Sequence, residues 1–227
     1  MTTSTPDLTG YHAVHGALRA APHRMAAAVA TIDPTDGRRV AAFARYWKGF
    51  AGEVLAHHTI EDVSMFPDLL ARLPDVQHLF ERTDDDHEQL DRLMHACGDA
   101  VERLAGGFAP TGAERALREL GAHMDEHLDF EDAEILPLFE QHYTVEEYRE
   151  LDEAAVKAIG IGPQAAFTIP FILSSASPED RAHMMEGAPL PLVVLYRLTR
   201  GRFARLESAA LGSPAEATPV RTEEVAA

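Results

Sequence analysis

An eleven-residue frame occurs twice in this chain, seventy positions apart. The first copy runs His57-His58-Thr59-Ile60-Glu61-Asp62-Val63-Ser64-Met65-Phe66-Pro67, and the second His127-Leu128-Asp129-Phe130-Glu131-Asp132-Ala133-Glu134-Ile135-Leu136-Pro137. His, Glu, Asp and Pro recur in one register, with apolar residues at matching places between them. His and Glu four apart on a helix share a face, one turn from each other. A neutral imidazole and a carboxylate so placed can hold one metal ion, and two such pairs facing each other can hold two. A repeat of this kind constrains the fold to two similar helical hairpins set against each other.

The surrounding pattern agrees. Ala, Leu, Glu and Arg are plentiful and β-branched residues sparse, which argues against strands. Four long helices are predicted: about Leu8 to Ile32 with a kink or break at Pro22, Arg38 to Leu73 bent or ended by Pro67, Pro74 to Leu104 stopped by Gly106-Gly107, and a fourth to about Tyr143. Thr111-Gly112-Ala113-Glu114 has the form of a capping box at the start of that fourth helix. Short loops between long helices predict an all-α, antiparallel up-down four-helix bundle over residues 1–143. An isolated His precedes each paired motif, His15 in the first hairpin and His87 in the second. Residues 144–210 read as a helical extension packed on the bundle, with a helix from Val145 to Ile159, an apolar stretch from Ala165 to Leu173 interrupted by Pro170, and a helix from Leu190 to Leu206. Gly160-Ile161-Gly162-Pro163 reads as a turn, and residues 211–227 as a disordered tail.

Composition narrows the partners. A net charge of −17 argues against nucleic acid or an anionic membrane surface, either of which needs a basic footprint. One cysteine, Cys97, excludes an internal disulfide framework and any multi-cysteine zinc site. Met1 to Thr5 lack the basic start and apolar run of a signal peptide, and no apolar run is long enough to span a membrane, so a cytoplasmic chain is expected.

A His followed by an acid four residues later is a weak signal alone. With 12 His and 37 acids in 227 residues, chance gives roughly two such spacings. Six occur, at His57, His58, His87, His95, His127 and His142, so several are ordinary surface pairs, His142 with Glu146 among them. The repeated frame and the matched lone histidines single out the His57 and His127 pairs.

These residues resemble the hemerythrin family, in particular its bacterial HHE domains, over about residues 8 to 143. The resemblance implies an antiparallel four-helix bundle around two iron ions with an oxo or hydroxo bridge. Carried over by position, it implies the ligands His15, His57, Glu61, His87, His127 and Glu131. Ferritin-like bundles place Glu before His at three-residue spacing, whereas here His precedes Glu by four, which favours the hemerythrin arrangement. The chain departs from the oxygen-carrier pattern in two places. Asp91 stands where carriers have a second third-helix His, and both Glu131 and Asp132 are candidates for the last carboxylate. His123, one turn before His127, is a candidate fifth imidazole or supporting group, with His12 and Tyr46 as weaker candidates; His23, His58 and His95 read as surface or supporting residues. Trp47, Phe43, Phe50 and Cys97 read as core.

The missing His argues against simple oxygen carriage. The expected function is a non-haem di-iron redox enzyme or oxidase acting on oxygen, peroxide, nitric oxide or a small organic substrate. The alternative is a non-catalytic module that senses or carries oxygen, iron or nitric oxide.

Overall fold

The computed structural model describes residues 5–159 and 162–212, and all its regular elements are helical. The predicted tail, apart from its first two residues, and the first half of the Gly160–Pro163 turn lie outside the described residues. Helix α1 spans Thr9–Val29 and passes through Pro22 without breaking. The next, α2, spans Gly37–Ile60, and its N-terminus is capped by the Asp36 carboxylate, which accepts from the backbone N–H groups of Arg38 and Arg39 at 3.1 Å. The chain then takes one wide π-turn, Glu61–Met65, and continues as α3, Phe66–Arg72. A short 3₁₀ turn, Pro74–Val76, leads into α4, Gln77–Ala105. Gly107 ends α4 with φ +87°, a left-handed conformation that lets the Phe108 N–H bond back to the Arg103 carbonyl at 3.1 Å. Helix α5, Thr111–Phe130, repeats the earlier pattern: a π-turn, Glu131–Ile135, then α6, Leu136–His142. The expected capping box does not form. Thr111 is already helical and caps nothing, and the Glu114 N–H bonds to the Pro110 carbonyl at 2.9 Å.

Proline accounts for both π-turns. Pro67 and Pro137 have no N–H for the carbonyl four residues back, and their rings crowd it. The helix widens by one residue instead, so that the Phe66 N–H reaches the Glu61 carbonyl and the Leu136 N–H the Glu131 carbonyl. Where a bend or end was predicted at Pro67, the helix changes type and continues to Arg72.

Around the bundle, α1 packs on α5, α5 on α4, and α4 on α2. The remaining seam, between α2 and α1, is filled by two helices of the extension, α8 (Ala165–Ser175) and α10 (Leu190–Leu211); its other two are α7 (Val145–Ile159), against α2 and the first π-turn, and α9 (Pro178–Glu186, not foreseen in the sequence), against α1. Within it, α8 and α10 contact both α1 and α2. Two glycines on α2 permit this approach: a Cβ at Gly49 would collide with the Phe167 ring, and one at Gly52 would lie 2.5 Å from Gln164 Oε1. Phe171 and Phe203 of the extension are buried in the same apolar core as Leu18, Phe43, Phe50, Leu90 and Leu117, so bundle and extension share one interior. A second apolar core closes the other end, built from Leu8, Met65, Phe66, Phe80, Phe130, Ile135 and Phe139. Between the two cores lies one layer of buried polar side chains.

Candidate metal centre

That layer holds nine-tenths or more of the surface of His15, His57, His58, Glu61, His87, His127 and Glu131 away from solvent. Their donor atoms fall into two groups, His58-His87-His127 and His15-His57-Glu61-Glu131, with the atoms of each group within 4.8 Å of one another. The two carboxylates link the groups. Glu61 turns Oε1 to His57 Nε2 (3.2 Å) and Oε2 to His87 Nε2 (3.6 Å). Glu131 turns Oε2 to His15 Nε2 (3.6 Å) and Oε1 to the Nε2 atoms of His127 (3.6 Å) and His87 (3.8 Å). Each carboxylate therefore faces a different imidazole group with each oxygen.

The aspartate after each glutamate has another task. Asp132 Oδ1 lies 2.7 Å from His15 Nδ1, and Asp62 Oδ1 lies 3.0 Å from His87 Nδ1. An ionised carboxylate can only accept, so each lone His carries hydrogen on Nδ1 and its Nε2 is aimed inward. Asp132 is itself held at its second oxygen by Arg19, at 3.0 Å. Despite burial, its hydrogen bond to His15 and the nearby His12 and Arg19 keep its pKa below the ordinary value.

Electrostatics suit a cation. Burial, reinforced by neighbouring imidazoles, pushes His57 and His58 well below the usual histidine pKa and His127 down to about 2, so these rings are neutral. Burial raises both Glu61 and Glu131, Glu61 further through repulsion from Glu131. Burial alone would lower His87 too, but its hydrogen bond to Asp62 and the nearby Glu131 and Glu61 carboxylates hold it up at about 10. Two carboxylates buried among imidazoles, away from water, form a site that a bound cation stabilises. The Nε2 atoms of His15, His57, His58, His87 and His127, with Glu61 Oε2 and both Glu131 oxygens, are buried without a hydrogen-bond partner. Buried polar atoms are normally paired. So many unpaired donors converging on one layer fit a pair of bound metal ions.

Against known protein families, residues 8–139 match the one described as hemerythrin HHE cation binding domain. The chain belongs to the hemerythrin family. No curated protein and no solved structure gave a match. All six ligand candidates carried over from the family pattern lie in this layer.

His58, read as a surface or supporting residue, is instead buried and stacked on His87 with ring centroids 4.0 Å apart. Asp91, at the place of the carrier's second third-helix His, is exposed. His58 thus adds an imidazole to the layer from α2, while α4 contributes His87. Glu131 rather than Asp132 faces the inward Nε2 atoms of the imidazoles. His123 belongs to neither group, although its Nε2 is buried and unpartnered. His12 is 55% exposed and 3.6 Å from Asp132. Tyr46 is not at the site; its ring packs on Phe167, Phe171 and Phe203. Tyr11, overlooked in the sequence, touches the layer directly. Its hydroxyl donates to Glu61 Oε1 at 2.5 Å, and its ring lies edge-on to His15 and His57. Its place one turn before His15 on the same face was the available signal.

Proposed function

We propose that this hemerythrin-family chain binds two iron ions and acts as an oxidoreductase on dioxygen, peroxide, nitric oxide or a small organic substrate. The observation that carries the reading is the orientation of Glu61 and Glu131, each presenting one oxygen to either imidazole group. His58, His87 and His127 would hold one ion, His15 and His57 the other, and the two glutamates would be shared. Iron in a mixed imidazole and carboxylate site supplies electron exchange with oxygen, peroxide or nitric oxide.

The chain's own residues make the two positions unequal. Three imidazoles serve one and two serve the other, so the position beside His15 and His57 has more room for an incoming small molecule. Tyr11 stands at that position, and burial with the adjacent Glu61 charge keeps its phenol protonated well above its ordinary pKa. It can offer a proton or a hydrogen bond there, while the apolar cores on either side exclude water. One observation favours a second reading. With His58 included the layer holds five imidazoles, which supports reversible binding without turnover.

Anaerobic Fe(II)-loaded protein mixed separately with oxygen, peroxide and nitric oxide distinguishes the readings. Multiple turnovers with peroxide or nitric oxide support the oxidoreductase. A stable adduct, reversed by removing the gas, supports the carrier or sensor and overturns the enzyme.

A further inference from the structure

About twelve residues before His57, roughly 18 Å along α2, a cleft opens between α2 and α10. Its volume is about 340 Å³, and it is lined by Arg38 and Arg45 of α2, Arg202 and Arg205 of α10, and the small or apolar Ala42, Leu206 and Ala209. No acid lines it. The chain has 20 basic and 37 acidic residues, so four charged lining residues would all be basic by chance roughly one time in seventy. Among the described residues none of the four arginines makes an ion pair, so no carboxylate neutralises the cleft. The two nearest acids in sequence are engaged elsewhere: Asp36 caps α2, and Glu207 pairs with Arg24 at 2.9 Å.

We propose that this cleft is a binding site for a small molecule carrying two or more linked phosphate groups. Each guanidinium presents a planar fork of N–H donors that matches phosphoryl oxygens. Two forks on each of two facing helices suit a chain of phosphates, which offers oxygens to both sides; a single carboxylate or phosphate engages fewer of them. The volume sits at the lower end of the 300–1,000 Å³ or so typical of small-ligand clefts. Four like charges around one cleft repel each other, and a bound polyanion removes that repulsion. A long nucleic acid needs an extended basic stripe, and the rest of this chain, at −17 overall, repels one.

The test is isothermal titration of the full-length protein, metal-free and iron-loaded, with sodium tripolyphosphate and with ATP at about 0.15 M salt, near physiological screening. The expected result is saturable one-to-one binding that weakens as salt rises. The Arg45→Ala/Arg202→Ala double variant should bind roughly tenfold or more weakly, in line with the loss of two charge-assisted contacts. Its helicity and iron content should be unchanged, since both side chains are exposed. Arg92→Ala, on α4 away from the cleft, should bind as wild type. Removal of iron by polyphosphate is separable, because chelation does not depend on Arg45 or Arg202. Absence of saturable binding, equal binding by the double variant, or tighter binding of RNA or anionic vesicles than of both polyphosphates would each overturn the proposal.

Discussion

The two copies of the repeated frame fold alike and differ in what they contribute. In both, an α-helix passes into a π-turn that begins at a buried glutamate and ends before a proline. In both, the glutamate faces inward and the next aspartate reaches the lone histidine of a neighbouring helix, Asp62 to His87 and Asp132 to His15. The difference lies at the second position. His58 joins His87 and His127, while Leu128 at the equivalent place is buried in the apolar core. A second contrast lies one turn before each lone histidine, where Tyr11 donates to Glu61 but Thr83 donates to its own helix at the Leu79 carbonyl. A symmetric backbone thus carries an asymmetric donor set, three imidazoles to one side and two with a phenol to the other. The repeat turns both glutamates inward, and two substitutions make their surroundings unequal.

The strongest test of the shared part separates the glutamate from the aspartate. Glu131→Ala removes oxygens facing both imidazole groups and should lose most bound iron, with a lower Tm, because metal binding is coupled to the fold. Asp132→Ala only frees the His15 ring, so metal should be retained with affinity about 10–100-fold weaker. Iron analysis and thermal melts read both, and the reverse order would assign the bridging role to Asp132.

The next effect concerns the asymmetry. His58→Leu gives the first copy the residue of the second, and should lower bound iron from two towards one per chain. His142→Ala, on the exposed end of α6, should change neither iron content nor Tm. Equal iron loss in the two variants would remove His58 from the site.

Loading should also be proton-linked. In the metal-free layer His87 is held protonated with a pKa of about 10, whereas His57, His58 and His127 are already neutral. Metal binding near pH 7.5 must displace the His87 proton, and any proton on the raised glutamates. Titrations in buffers of different ionisation heat should therefore show proton release, and affinity should rise with pH up to about 10. Proton uptake, or affinity falling as pH rises from 6 to 8, would contradict this electrostatic account.

The smallest expected change comes from Tyr11→Phe, which removes one hydrogen bond to Glu61, about 1 kcal/mol. Iron content should stay near two while the rate with peroxide or nitric oxide changes. Thr83→Val should leave that rate as it is. Matching effects of the two substitutions would place Tyr11 among structural residues only.

The bundle was legible because its helices are long, their loops short, and the repeat aligns two hairpins. The pairs His57 with Glu61 and His127 with Glu131 were legible because spacing on one helix decides which residues share a face, and His15 and His87 entered through their matched places on the preceding helices and the family resemblance. His58 was not. Adjacent residues on a helix diverge by about 100°, and spacing alone does not reveal that α2 is enclosed on several sides, so that both His57 and His58 point inward. The roles of Asp62 and Asp132 needed the topology, since their partners lie 25 and 117 residues away. Tyr11 was obscured for the same reason, its acceptor being 50 residues distant. The extension read as helical, but its place in the α1–α2 seam depended on Gly49 and Gly52, which look like ordinary helix glycines until Phe167 and Gln164 are set against them.

The central claim is that Glu61 and Glu131 are shared between two metal positions. Anaerobic titration of the metal-free chain with Fe(II), with bound iron counted after removal of excess, tests it directly. The account predicts saturation at two irons per chain in the wild type, and loss of most of both in Glu61→Ala as well as in Glu131→Ala. Saturation at one iron, or a Glu61→Ala protein that still binds two, would contradict it.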